Sequence, residues 1–128
     1  MVMNSKVCPC GSTKKYADCC GHYLDGSEAA PTAEALMRSR YVAYTLLRED
    51  YLLATWHSSM RPVALDFLDD GVTKWLGLEV KRHEQQPSQA VVEFVARYKV
   101  NGRAHRLYEV SHFVREAGRW FYVDGDIS

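Results

Sequence analysis

The chain's four cysteines, Cys8, Cys10, Cys19 and Cys20, all fall within thirteen residues near the N-terminus. Thiolates are soft donors that favour zinc over hard cations, and two thiols on one tight turn facing two on the next can enclose a tetrahedral ion. Gly11 and Ser12 suit a turn whose N–H groups point back at the sulfurs. Four thiolates around a dication leave two negative charges, which Lys6, Lys14 and Lys15 are placed to offset. Three alternatives stand beside this reading: His22 takes the place of Cys20, the four thiols stay free, or Cys19 and Cys20 form a vicinal disulfide serving redox chemistry.

A second set of reactive side chains lies in the cysteine-free remainder. Arg40 interrupts the apolar stripe of a predicted helix, and an inward arginine needs a partner. Glu109, Asp124 and Asp126, with Ser111 and His105, fall on neighbouring predicted strands. Tyr41, Trp56, His57 and His112 lie within reach of the same region. A buried Asp124 or Glu109 would serve as general acid or base, with Arg40 holding an anionic group. The plainer reading is a satisfied internal ion pair between Arg40 and the carboxylates, with Trp56 and Tyr122 filling the core. His112 falls on the solvent face, and Asp124-Gly125 also reads as strand-end turn chemistry.

Helices and strands must position these groups. Residues 25–31 form a polar connector, after which Thr32 is an N-cap and Glu34 an acidic first-turn residue of a helix over about Ala33–Leu47. Leu36, Met37, Arg40, Ala43, Tyr44 and Leu47 share its inner face. A second helix is expected over about Tyr51–His57, capped by Asp50, and a short helical turn from Pro62 to Leu68. The pattern then alternates. Trp75–His83 reads as a strand with Leu76, Leu78 and Val80 on one face, followed by Gln89–Val100, a return strand to about Arg115, and Trp120–Asp124.

Asn101-Gly102 is a strong two-residue hairpin turn. It pairs Val100 with Arg103, Tyr98 with His105, Ala96 with Leu107, Phe94 with Glu109 and Val92 with Ser111. A similar turn at Ala117-Gly118 pairs Phe113 with Tyr122, Ser111 with Asp124 and Glu109 with Asp126. The opposite face sets Arg97 against Arg106, which only water tolerates, so the first face is the buried one. A β-bulge between any two strands would turn part of this set outward.

With 128 residues, 47% of them hydrophobic, the chain can bury a real core, and the knuckle need not hold it together. Sixteen basic residues balance sixteen acidic ones, so no global field draws it to nucleic acid, and the small basic excess near the cysteines supports only weak phosphate contact. Without an export signal or an apolar run of roughly 20 residues, the expectation is a cytoplasmic protein. Helices followed by a meander give an α+β class.

The stretch Cys8-Pro-Cys-Gly-Ser-Thr-Lys-Lys-Tyr-Ala-Asp-Cys-Cys20 resembles the SEC-C motif, the zinc-binding tail of the preprotein translocase ATPase. By that resemblance Cys8, Cys10, Cys19 and Cys20 are the ligands of a structural Zn2+. Thr13 stands where the family usually has glycine, and Ala17 where lysine is frequent. Leu36-Met-Arg-Ser-Arg-Tyr-Val-Ala-Tyr44, Asp50-Tyr-Leu, Thr55-Trp-His57 and Phe113-Val-Arg-Glu followed by Gly118-Arg-Trp-Phe-Tyr-Val-Asp-Gly125 are similar to the YchJ-type bacterial family. That family joins a SEC-C motif to a nuclear transport factor 2-like domain. The resemblance implies a knuckle over residues 1–24, a linker over 25–31, and over 32–128 a cone-shaped domain of helices packed on a curved antiparallel sheet around a pocket. Sheets of this fold often dimerise, so monomer and homodimer both stay open.

The cone fold hosts enzymes and pure binding proteins alike, so it is no warrant for catalysis. The expectation is that the knuckle docks a protein partner through Lys14, Lys15 and Tyr16, as the similar translocase motif contacts a chaperone, while the cone domain holds a small molecule or peptide. An isomerase, dehydratase or hydrolase using a cavity carboxylate is the alternative, and weak nucleic-acid or ribosome binding a third.

Overall fold

The computed structural model describes residues 7–26, 28–65 and 73–127. A 3-10 turn, Tyr16–Asp18, leads into the short helix α1, Cys20–Leu24. The long helix α2 spans Ala33–Thr45 and α3 spans Glu49–Ala54. Four strands follow: β1 Thr73–Gln85, β2 Gln89–Val100, β3 Arg103–Glu116 and β4 Arg119–Ile127. They form one antiparallel sheet in sequence order.

Helix α2 begins as its sequence dictates, with the Thr32 hydroxyl accepting the Ala35 N–H at 3.0 Å. The Ala33 N–H is taken by Gln85 Oε1 at 3.0 Å, which ties the helix start to the end of β1. Glu34 pairs with Arg38 one turn on, at 3.0 Å. The helix buries Leu36, Met37, Arg40, Tyr41 and Ala43 against Val92, Phe94, Ala96, Phe113 and Trp120 of the sheet. The two hairpin turns place Asn101, Gly102, Ala117 and Gly118 at φ of 52°, 82°, 52° and 79°. That left-handed pair matches the twist of the flanking strands.

Cys8, Cys10, Cys20 and Leu24 belong to the same buried cluster as α2 and the sheet. The knuckle is therefore not an appendage indifferent to the rest. Arg38 of α2 donates to the Cys10 carbonyl at 2.7 Å, and Arg48 donates to the Leu24 carbonyl at 3.1 Å.

Five local expectations need correction. Helix α2 ends at Thr45, which leaves Leu47, at φ 57° and 44% exposed, off its inner face. Helix α3 starts at Glu49, so Asp50 lies in its first turn, paired with Arg48 at 3.0 Å, and is not its N-cap. Residues 62–65 are not helical, and the remainder of the expected turn lies outside the described residues. In β1 a register shift between Trp75 and Gly77 leaves Leu76 on the outside, 52% exposed, while Trp75 joins the inner face opposite Tyr98. In β3–β4 a shift between His112 and Phe113 pairs Ser111 with Gly125 and His112 with Asp124. The β2–β3 register follows the expected one throughout, including Arg97 opposite Arg106.

Candidate metal centre and inner cavity

The cysteines are brought together by a small hairpin. Val7 bridges Lys15, and the Cys8 N–H donates to the Lys14 carbonyl at 2.7 Å. Gly11 makes the turn at φ 86°, its N–H donating to the Cys8 carbonyl at 3.3 Å rather than reaching a sulfur. The 3-10 turn then delivers Cys19 and Cys20 to the same point. Gly21 permits this approach, since a Cβ there would lie 2.8 Å from the Tyr16 carbonyl oxygen.

All four sulfurs lie within 4.8 Å of one another. Cys10 and Cys19 Sγ are 3.7 Å apart, and Cys19 and Cys20 Sγ 4.0 Å. A tetrahedron of zinc–sulfur bonds near 2.3 Å has sulfur–sulfur edges of about 3.8 Å, so the donor set fits such an ion. The adjacent thiols are free, at nearly twice the ~2.05 Å length of a disulfide. His22 stands outside the cluster.

The protons of the sulfurs are unevenly held. Hydrogen bonds from Cys20 and then Cys8 pull Cys10 far below the ordinary thiol value. The bond to Cys10 is the largest factor pushing Cys8 up to about 11, and bonds to Cys10 and Cys8 with burial push Cys20 well above the ordinary value. One thiolate is thus favoured at the expense of its neighbours, which a cation among them would relieve. Ser12 Oγ sits 3.0 Å from Cys19 Sγ, and exposed Lys14 and Lys15 flank the site. Tyr16 is half-buried against the core. Lys6 lies outside the described residues.

Between α2 and the sheet lies a cavity of about 350 Å³, its walls mostly aromatic and aliphatic. Arg40, Tyr41, Tyr44, Glu109, Ser111 and Tyr122 are among its polar side chains, while Trp75, Phe94 and Leu107 line its apolar part. Ile127, 65% exposed, marks the mouth at the end of β4.

Arg40 is only 5% exposed, and among the described residues no carboxylate forms an ion pair with it. Its Nη1 donates to the Leu52 carbonyl at 2.8 Å and to Thr55 Oγ1 at 2.7 Å. The guanidinium carbon lies 5.0 Å from the centre of the Trp56 ring and 4.5 Å from that of Tyr122. Burial pulls its pKa below the usual arginine value, and Tyr44, Tyr122, Tyr51 and Glu109 oppose that pull through space. The expected ion pair is thus replaced by carbonyl, hydroxyl and ring contacts. Thr55 carried no sequence signal for this role beyond its place at the end of α3. Backbone bonds from Tyr122 to the Thr55 carbonyl, 2.9 Å, and from His57 to the Tyr122 carbonyl, 2.7 Å, clamp that end of α3 against β4.

Glu109 is buried, at 8% exposure. Its Oε2 accepts from Ser111 Oγ at 2.7 Å and from the Tyr122 hydroxyl at 3.1 Å. Burial first, then the Glu109 charge and the bond to it, hold Tyr122 well above the ordinary tyrosine value, so its hydroxyl stays a donor. The carboxylate packs over Gly125, where a Cβ would overlap it.

Asp124 and Asp126 do not join this group. The shift at His112 turns both to the outer face, where Asp124 Oδ1 meets His112 Nδ1 at 2.7 Å and Asp126 stands 4.0 Å from Nε2. Of the three catalytic candidates, Arg40 and Glu109 reach the cavity and Asp124 does not. His105 is exposed and stacks on Tyr98 with ring centres 5.2 Å apart. His57 lies outside the cavity, between Ser59 and Glu116. Phe94 falls on the face expected to be buried, whereas alternation assigns that face of β1 to Leu76 and so misses Trp75; an isolated glycine, Gly77 in β1 and Gly125 in β4, is the available sign of the shifts beside them.

Among the described residues no helix is long and apolar enough to cross a membrane. The family model described as YchJ, middle NTF2-like domain, matches residues 32–125, and the SEC-C motif model matches residues 5–21. A UPF0225 protein of Chromobacterium violaceum is 60% identical over 125 residues, covering 93% of this chain and 91% of that one. Another, from Methylibium petroleiphilum, is 55% identical over 121 residues, with coverage of 94% and 88%. The solution structure of a SEC-C motif protein from Rhodopseudomonas palustris superposes with a TM-score of 0.86 at 36% identity, covering 94% of this chain and 98% of that one. The crystal structure of a SEC-C motif protein from Psychrobacter arcticus gives 0.81 at 30% identity, with coverage of 100% and 86%.

Proposed function

The chain belongs to the YchJ family, a SEC-C motif joined to an NTF2-like domain, and from that premise we propose that it is a zinc-stabilised protein that binds a small molecule in its inner cavity. One observation carries this reading: Cys8, Cys10 and Cys20, with Cys19 packed against them, share a single buried core with the helix bearing Arg40, Tyr41 and Tyr44. Four thiolates close the shell of a zinc ion, leaving no open position for a reactive water, so the metal's role is structural. When bound, the ion supplies a positive centre that allows all four thiols to deprotonate. Cys8 and Cys10 from the hairpin and Cys19 and Cys20 from the turn into α1 would hold it.

The outer rim of the knuckle, with Lys14 and Lys15 exposed, supports docking of a protein partner there. Among the described residues Glu109 is the one acidic side chain lining the cavity. A proton-transfer enzyme built on it is the second reading, favoured by its burial beside the Tyr122 hydroxyl. Metal analysis of protein purified without chelator tests the central reading. One zinc per chain supports it, and absence of bound metal with oxidised adjacent thiols contradicts it.

A further inference from the structure

Each charged group of the cavity uses one polar atom for two hydrogen bonds, and they differ in that Arg40 also lies against two aromatic rings. Those contacts build Arg40 into the wall that joins α3 to β4. On Glu109 both hydroxyl donors, Ser111 and Tyr122, converge on Oε2, and Oε1 accepts neither bond. A carboxylate in an apolar cavity gains most from a charged donor, because a charge-assisted hydrogen bond is roughly twice as strong as a neutral one.

The rest of the cavity suits the same occupant. Trp75 lies at the junction of an aromatic group, with ring centres 5.7 Å from Tyr41, 6.3 Å from Tyr44 and 5.3 Å from Tyr98. Ring faces attract cations and pack well against other rings. The volume of about 350 Å³ lies at the small end of ligand pockets, and the opening beside Ile127 is adjacent to Glu109, which Ile127 faces across β3–β4.

We infer that the cavity takes a small organic amine, its ammonium on Glu109 and its apolar or aromatic body against Trp75, Phe94 and Leu107. This rests on the proposed reading of the cavity as a ligand site and adds the class of ligand. Arg40 opposes a second positive charge at the α3 end, so the ligand carries one ammonium, directed toward Glu109.

Three probes of one shape separate the outcomes: 4-phenylbutylamine, 4-phenylbutan-1-ol and 4-phenylbutyrate, titrated into the metal-loaded protein with the Trp75 indole and Ser111 amide followed by NMR. The amine is expected to saturate these signals at a concentration at least about tenfold lower than the alcohol or the acid. Glu109→Gln should remove the advantage of the amine over the alcohol. Tighter binding of the acid or the alcohol overturns the amine assignment while the ligand-site reading stands. No cavity response to any of the three overturns both. The comparison within the unaltered protein decides the matter even if Glu109→Gln folds poorly.

Discussion

The Glu109 carboxylate occupies the space that a side chain at Gly125 would fill. Gly125 faces inward because the register shift at His112 sets it, rather than Asp124, opposite Ser111. One missing Cβ therefore gives the cavity its buried acid. Gly125→Ala should destabilise the fold by about 1–3 kcal/mol, as overpacking commonly does. In a Glu109→Ala background the same change should cost much less, since the space is vacated. Thermal denaturation of the four proteins measures this, and equal costs in both backgrounds would refute the steric account.

Thr13 sits at φ 69°, a conformation unfavourable for a β-branched residue and favourable for glycine. Thr13→Gly should stabilise the metal-loaded protein by about 0.5–1 kcal/mol, the relief of left-handed strain outweighing the added freedom of the unfolded chain. A lowered melting temperature in the variant would show that the Thr13 hydroxyl, which donates to the Ser12 carbonyl, is worth more than the strain.

The hairpin at Asn101-Gly102 could be read from the sequence because two residues of that type accept positive φ, and the β2–β3 register follows from that turn alone. The second hairpin was equally legible as far as Phe113–Tyr122. Beyond that pair a single extra residue sends Asp124 and Asp126 outward, and alternation carries no mark of it. The same holds for Leu76, which alternation assigns to the core and the shift beside Gly77 exposes. The sulfur cluster was legible because its spacing is local. Arg40 was legible as buried, but its acceptors Leu52 and Thr55 were not, since they depend on how α3 returns across α2.

Cys8, Cys10 and Cys20 lie in the same core as Leu36 and Phe113, so removing the metal should be felt by the whole molecule. Chelation should lower the melting temperature by about 10 °C, at roughly 3 °C per kcal/mol for a chain of this size. Loss should be a single transition seen alike by far-ultraviolet circular dichroism and by tryptophan fluorescence. An unchanged melt after complete metal removal would make the knuckle independent of the cone domain.

Alkaline pH should unfold the protein by a separate route. Burial pushes the Tyr41 and Tyr51 hydroxyls up to about 12, and raises Tyr44 and Tyr122 as well. Below pH about 10, the ordinary tyrosine value, neither state ionises and this stability is fully present. Between pH 10 and 12 the unfolded chain loses protons that the folded one keeps, so stability falls, by an amount on the order of 3 kcal/mol for each of Tyr41 and Tyr51. Phenolate absorbance and circular dichroism followed together should show the buried tyrosines ionising only as the fold is lost. Ionisation of all eight tyrosines near pH 10 in a still-folded protein would contradict the burial account.

X-ray absorption at the zinc edge of the purified protein reports directly on the four-sulfur centre. Four sulfur scatterers at about 2.3 Å, with no lighter ligand, are the expected result. A nitrogen or oxygen in the shell would mean that His22 or water replaces a cysteine, and an edge without bound zinc would contradict the metal-organised core itself.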